Sequence, residues 1–335
     1  MCPASPRRSR RLLTALALTA ALVLAACGGD DSTTAASGDA SLRVATSIAP
    51  FEDLVSQVAG DRAEVSSIVP AGVDGHTYEP TPGDVRILTE VDLLILPDVE
   101  LNPVVSSLAF DNLPEDAEVV DLNAQVVPED EVIFADSHSH GDGPSHGHQR
   151  NVHTWTNLPY AKQMVGEIVT ALSDADPDGA DVYEANGEEL LAEMDQLMSA
   201  TQQALATVPD ENRTLVVYHD SWSYFGRFYG FDVQGALQAV NFAEPSAAEL
   251  RTMVQQVQAA GVPAFFGSEV FPTSVLEQVA SESGVDYVGN LSDDKLPGEA
   301  GDPNHSYIGM MTENVRLIVD GLGGDASALD DVDAA

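Results

Sequence analysis

The chain has 335 residues, with 54 acidic against 14 basic side chains, a formal net charge of −40 and 44% hydrophobic residues. So few cations exclude a nucleic-acid binder, because phosphate contacts need clustered Lys and Arg, and they argue against adhesion to anionic lipid. A mean hydropathy near zero is not that of a disordered chain, and the length suits about two domains, each with a core of its own.

Residues 1–26 contain Arg7, Arg8, Arg10 and Arg11 but no acid, and an apolar run from Leu12 to Ala26 follows the arginines. A basic start, an apolar stretch of about 15 residues and small residues at its end predict a secretory signal. The run is too short for a membrane-spanning helix, which needs about 20 apolar residues. Leu24-Ala25-Ala26-Cys27-Gly28 resembles the lipobox of bacterial lipoproteins, which implies cleavage before Cys27 and diacylglycerol on its thiol. The alternative is an ordinary signal with a chance cysteine. Stable anchoring takes more than one acyl chain. Removing four arginines and no acid takes the charge from −40 to −44. Cys2 leaves with the signal and Cys27 carries lipid, so neither a disulfide nor a thiolate metal ligand remains. Whatever chemistry the mature chain performs uses His, carboxylates and hydroxyls.

Cys27 and the Gly, Ser, Thr and Asp residues up to 41 form a flexible tether. From there, short β-branched runs alternate with helical periods. Leu42–Ser47, Val65–Val69, Leu93–Leu96, Val119–Leu122 and Val132–Phe134 read as strands of a first lobe, residues 42–178. Phe51–Ala59 and Gly83–Thr89 read as helices within it. Residues 136–149 are Gly-, Ser- and Pro-rich and hold His138, His140, His146 and His148, which predicts an exposed loop. Four imidazoles in such a loop suit weak capture of zinc-like ions; a merely solvated polar loop is the alternative. A long helical pattern over residues 179–208 carries Val182, Ala185, Leu190, Leu191, Met194, Leu197, Met198 and Leu205 on its apolar stripe. It reads as a connector between lobes, or as a surface helix of one. Leu215–Tyr218, Ala264–Phe266 and Val285–Val288, with the helical Ala247–Ala260, make a second lobe, residues 209–322. The acidic, small-residue stretch 323–335 reads as a disordered tail. The fold class is therefore α/β: two lobes, each with a mainly parallel sheet flanked by helices, joined by one long helix.

Outside the loop, His76 follows the second strand, His153 precedes Thr154-Trp155, and His219 closes the strand Leu215–Tyr218. Ligands of open α/β sheets sit at the carboxyl ends of strands, so two of the three are well placed. Taken singly, each would more often be a hydrogen-bonded structural histidine.

Five segments follow in order over nearly all of 42–320: Gly72-Val73-Asp74-Gly75-His76-Thr77-Tyr78-Glu79-Pro80, His153-Thr154-Trp155, His219-Asp220-Ser221-Trp222-Ser223-Tyr224-Phe225 with Tyr229-Gly230-Phe231, Glu244-Pro245-Ser246, and Ser306-Tyr307-Ile308-Gly309-Met310-Met311. Together they resemble the metal-binding solute-binding proteins of zinc and manganese ABC transporters, the cluster A-I family. The resemblance implies that His76, His153 and His219 are metal ligands. It implies a fourth in Ser292-Asp293-Asp294, namely Asp293, with Asp294 the alternative. The chain departs from the family's Asp-Pro before the His-x-Trp motif by having Asn151-Val152, a change expected to affect the turn more than the ligand. Trp155 is expected to pack under the site.

Three imidazoles and one carboxylate suit four-coordinate Zn2+, while Mn2+, which prefers more oxygen ligands, is the alternative cargo. With every position filled by protein, the set favours binding over hydrolysis, and the chain is not expected to be an enzyme. The competing hydrolase reading makes Glu79 a general base and leaves Asp293 out of the site; no nucleophile elbow or phosphate loop supports it. A structural or adhesive lipoprotein would explain neither the ligand set nor the loop. Expected partners are the permease of the same transporter, a possible metallochaperone and the membrane, through the lipid, with the protein a monomer on the outer face of the cytoplasmic membrane. The connecting helix predicts a small rearrangement, around Asp293, rather than a wide closure. Ligand deprotonation predicts affinity falling as pH drops toward and below about 6.5.

Overall fold

A computed structural model describes residues 41–134, 150–235, 246–268 and 273–333. The predicted signal and Cys27, and the four histidines of the His-rich loop, lie outside the described residues.

Two four-stranded parallel sheets organise the described residues. The first holds β1 (Leu42–Thr46), β2 (Ala63–Ser67), β3 (Leu93–Leu96) and β4 (Glu118–Asp121); the second holds β5 (Thr214–Val217), β6 (Asp232–Gly235), β7 (Ala264–Ser268) and β8 (Asp286–Leu291). The orders are β2-β1-β3-β4 and β6-β5-β7-β8, so the second sheet repeats the topology of the first. Each sheet reverses its winding beside its first strand, which creates a crevice at the carboxyl ends.

The helices are α1 (Ala49–Ala59), α2 (Pro82–Leu88), α3 (Pro103–Asn112), α4 (Leu122–Val126), α5 (Leu158–Ala175), α6 (Ala180–Leu205), α7 (Ser223–Tyr229), α8 (Ala247–Ala260), α9 (Thr273–Ser283) and α10 (Tyr307–Gly321). Several begin on a side-chain cap that accepts a first-turn N–H: Thr81, Asn102, Asn157, Ser246 and Ser306. Prolines occupy the first turns of α1, α2, α3 and α5, where a missing N–H costs nothing.

Period-two alternation divides the strands between cores. Val44, Leu93, Ile95, Leu215, Val217 and Phe266 face one inner core that runs without a break through Phe51, Trp155, Met164, Leu197, Phe225 and Met311. Ala45, Leu94 and Leu96 turn to the outer face of the first sheet, and Val216 and Phe265 to that of the second. The inner core thus belongs to both lobes. The 26 residues of α6 span about 39 Å at 1.5 Å per residue. Its buried stripe, Tyr183, Leu190, Met194, Leu197 and Ala204, packs on α1 and α5 of the first lobe and on α10 of the second. The two-lobed parallel architecture with a long helix is the one expected from the sequence.

Two local expectations fail, and one strand, β6, was not expected. Val132–Phe134 is not a strand; it makes only an isolated antiparallel bridge between Phe134 and Arg150. The run is too short to add a ladder to a sheet whose edge β4 already fills. β6 escapes the pattern because Asp-Val-Gln-Gly has no apolar run. The stretch after Leu322 is folded as far as Asp333: Ala326 and Leu329 are buried, Asp325 N–H donates to Thr207 Oγ1 at 2.7 Å, and Arg316 pairs with Asp330 at 2.9 Å. Its Ala and Leu residues, spaced by acids that face water, cover the flank of α6.

Candidate metal centre

Three of the four candidate ligands, His76, His219 and Asp293, lie on connections beyond strand ends, and His153 lies just ahead of α5. His76 sits on the long turn after β2. Gly72, at φ 77°, supplies the left-handed corner of that turn. Asp74 Oδ1 accepts from Thr77 N at 2.8 Å. Asn102, the cap of α3, donates through Nδ2 to the carbonyls of Gly75 and Tyr78 at 2.8 and 3.0 Å. The backbone on both sides of His76 is therefore held by one amide.

His153 immediately precedes a short 3-10 turn, Thr154–Thr156. The segment leading into it is anchored by Asn123, which donates to Asp98 Oδ2 and to the Val152 carbonyl, each at 2.8 Å. Buried Asp98 also pairs with Arg150 at 3.2 Å. His219 follows β5 by two residues, and Asp293 follows β8 by two.

These four side chains converge. His76 Nε2 and His219 Nε2 lie 2.9 and 3.0 Å from His153 Nε2. Asp293 Oδ2 lies 3.2 Å from His153 Nε2 and 3.6 Å from His219 Nε2. One ligand atom from each residue falls within 4.8 Å of all the others. A tetrahedron of ~2.1 Å bonds has edges of about 3.4 Å, so the spacings suit a single small cation at the centre. His153 and Asp293 are almost wholly buried, and His219, with its side chain 11% exposed, is the most open of the pair it forms with Asp293.

The second layer fixes the tautomer of His153. Asn151 Oδ1 accepts from His153 N at 3.1 Å and lies 3.0 Å from its Nδ1, while Asn151 Nδ2 donates to the Asp220 carbonyl at 2.7 Å. Because the amide's nitrogen is committed to a carbonyl, its oxygen must face the imidazole. His153 then carries its proton on Nδ1 and turns the Nε2 lone pair inward. His76 has a backbone hydrogen bond with Leu101. Burial, and then the nearby His219, push the His76 pKa down to about 3. Burial, followed by His219 and His76, holds that of His153 well below the usual imidazole range. Neutral imidazoles are the form that binds metal, so the fold holds ligands ready for a cation.

Trp155 packs beneath the site as expected, its ring 5.2 Å from that of His153 and edge-on to Phe51 at 5.5 Å. Its indole Nε1 also donates to the Asp293 carbonyl at 2.7 Å, a contact between the lobes that the motif alone could not reveal. Asp294 does not take the ligand position; its Oδ2 accepts from Gly75 N at 2.6 Å. Glu79, the general base of the hydrolase reading, is exposed and outside the four-residue cluster. Asn151 is a site residue whose role sequence reasoning missed: a change expected to reshape a turn instead orients the candidate ligand His153.

Fold and relatives together define a metal-binding substrate-binding protein of an ABC transporter, a class that delivers cargo and is not enzymatic. Residues 44–321 match the family model described as zinc-uptake complex component A, periplasmic, and the chain belongs to that ZnuA family. It is 30% identical over 302 residues to the manganese-binding lipoprotein MntA of Halalkalibacterium halodurans, covering 90% of this chain and 95% of the relative. It is 25% identical over 319 residues to the manganese ABC transporter substrate-binding lipoprotein PsaA of Streptococcus pneumoniae, covering 93% and 99%. Among solved structures, the periplasmic zinc-binding protein TroA of Treponema pallidum superposes with a TM-score of 0.74 at 25% identity, covering 84% of this chain and 99% of that one.

Proposed function

We propose that the protein captures Zn2+ between its lobes, through His76, His153, His219 and Asp293, and hands it to the permease of an ABC importer. The observation that carries this reading is the convergence of three imidazole nitrogens and one carboxylate oxygen on a point inside the protein. A set of three nitrogens and one oxygen matches the four-coordinate preference of zinc, and no position is left for a hydrolytic water. Manganese is the second reading, favoured by relatives named for that metal; against it stands the single oxygen donor, since Mn2+ prefers more.

The lipobox at Cys27 supports anchoring on the outer face of the cytoplasmic membrane, in keeping with relatives named as lipoproteins. Among the described residues no helix is long and apolar enough to cross a membrane. His138, His140, His146 and His148 would collect metal ahead of the main site, with a metallochaperone as an optional donor and the monomer as the working unit.

Titration of the mature protein with Zn2+ and with Mn2+, alongside His219→Ala, tests the reading. The expected result is one-to-one zinc uptake, preferred over manganese and reduced at least a hundredfold in the variant. Tighter binding of manganese would replace the zinc assignment. Absence of any uptake at the main site would remove the transport role altogether.

A further inference from the structure

The residue after Asp293 has no place in the ligand set, yet it is buried as deeply. Asp294 is 2% exposed and Asp293 1%. Asp294 reaches from the second lobe into the first, where its Oδ2 accepts the Gly75 N–H at 2.6 Å in a buried hydrogen bond. Gly75 immediately precedes His76. The carbonyl of the same glycine is held by Asn102 at 2.8 Å. One backbone residue is thus gripped by its N–H from across the cleft and by its C=O from its own lobe.

The approach is close enough to dictate the residue type at 75. A Cβ there would lie 2.9 Å from Asp294 Oδ2 and 2.8 Å from Ile48 Cγ2, which only glycine avoids. Meanwhile Trp155 of the first lobe holds the Asp293 carbonyl at 2.7 Å. The dipeptide Asp293-Asp294 is therefore tied to the first lobe at two points, neither of which uses the Asp293 carboxylate that faces the histidines.

We propose that Asp294 is a positioning residue: with Gly75 it forms a metal-independent latch that holds the Asp293 loop and the His76 turn in binding geometry and slows release of the bound cation. A charged acceptor makes a stronger bond to an amide than a neutral one. The latch must open before Asp293 can swing away with the first lobe still in place, so its strength adds to the barrier for leaving more than to that for entry. This role rests on the four-residue cluster being the cargo site.

The test compares the full mature chain with Asp294→Ala, Asp294→Asn and Gly75→Ala. Amide hydrogen exchange without metal reads the latch itself: the Gly75 N–H is expected to exchange about tenfold faster in Asp294→Ala, with Asp294→Asn, which keeps a neutral acceptor, recovering part of the protection. Stopped-flow release of Zn2+ to excess chelator reads the function. Release is expected to quicken about tenfold in Asp294→Ala and in Gly75→Ala, less in Asp294→Asn, with uptake rates within about twofold of the wild type. A destabilised fold without a latch would not be restored by the asparagine. Unchanged Gly75 exchange in Asp294→Ala overturns the latch. Changed exchange with unchanged zinc release overturns its role in residence time while leaving the cargo site standing. A wild type that takes up no metal overturns the cargo site and the kinetic role together.

Discussion

Replacing Asn151 with leucine keeps the volume of the side chain and removes its amide. Three contacts vanish: the acceptor of His153 N at 3.1 Å, the acceptor facing its Nδ1 at 3.0 Å, and the donor to the Asp220 carbonyl at 2.7 Å. The first and third hold the backbone, and the second holds the imidazole in the tautomer that directs Nε2 inward. Buried hydrogen bonds of this kind are worth about 1–3 kcal/mol when one partner is deleted, which sets the expected loss of metal-free stability. Losing the orienting partner of a metal-bound histidine costs about 10–100-fold in affinity. Competition of the variant against a calibrated zinc chelator, with denaturant unfolding of the metal-free form, measures both. Asn151→Asp separates the contributions: its carboxylate still accepts from His153 and makes the imidazole more basic, but it places an oxygen against the Asp220 carbonyl. It should lose stability comparable to the leucine variant and much less affinity. Zinc affinity of Asn151→Leu within about twofold of wild type would refute the assignment of Asn151 as the orienting group, as would equal affinity losses in the two variants.

Acid should act on the metal-free fold before it protonates folded His76 and His153. Folded His76 and His153 stay neutral well below 6.5, whereas unfolded imidazoles take up protons near that value, so their contribution is complete above about pH 6.5 and is lost on acidification, at about 1.4 kcal/mol per pH unit for each. Asp53, pushed up to about 6 chiefly by burial, has the opposite sign and offsets one of them between pH 6 and its unfolded value of 3.8. Unfolding of the metal-free chain from pH 7.5 to 4.5 should show the net decline; a flat profile would contradict it. Proton competition at His76 and His153 is correspondingly displaced below the pH 6.5 expected of free imidazole. Leu329→Ala, at a residue 1% exposed, should cost about 2 kcal/mol in urea unfolding, where a disordered tail would give no change.

The sheets and the histidines that converge were legible because both obey short-range rules. Runs such as Leu93–Leu96 are long enough and apolar enough to announce a buried parallel strand, and the three histidines sit in segments with distinctive neighbours. What stayed hidden depends on contacts between residues far apart in the chain. Nothing in Asn151-Val152 announces that its amide will meet both His153 and the Asp220 carbonyl. Nothing in Ser292-Asp293-Asp294 says which carboxylate turns to the histidines and which to Gly75. The segment around Leu329 has the composition of a solvated tail, yet Ala326 and Leu329 are buried, with Ala328 and Val332 partly so, against a flank of α6. Burial likewise decides the histidine pKa values, and burial is a property of the assembled lobes.

The inner core that runs unbroken through both lobes constrains how the protein can report that it is loaded. A carrier that clamps like a jaw advertises its state over its entire outline. Here a comparable gape would have to tear Trp155, Phe225 and Met311 out of close packing, at about 25 cal/mol for every Å² of apolar surface wetted. Full and empty forms must consequently share almost one silhouette. On the proposed cargo site, a transporter that accepts the first and refuses the second has to inspect the surface around His219.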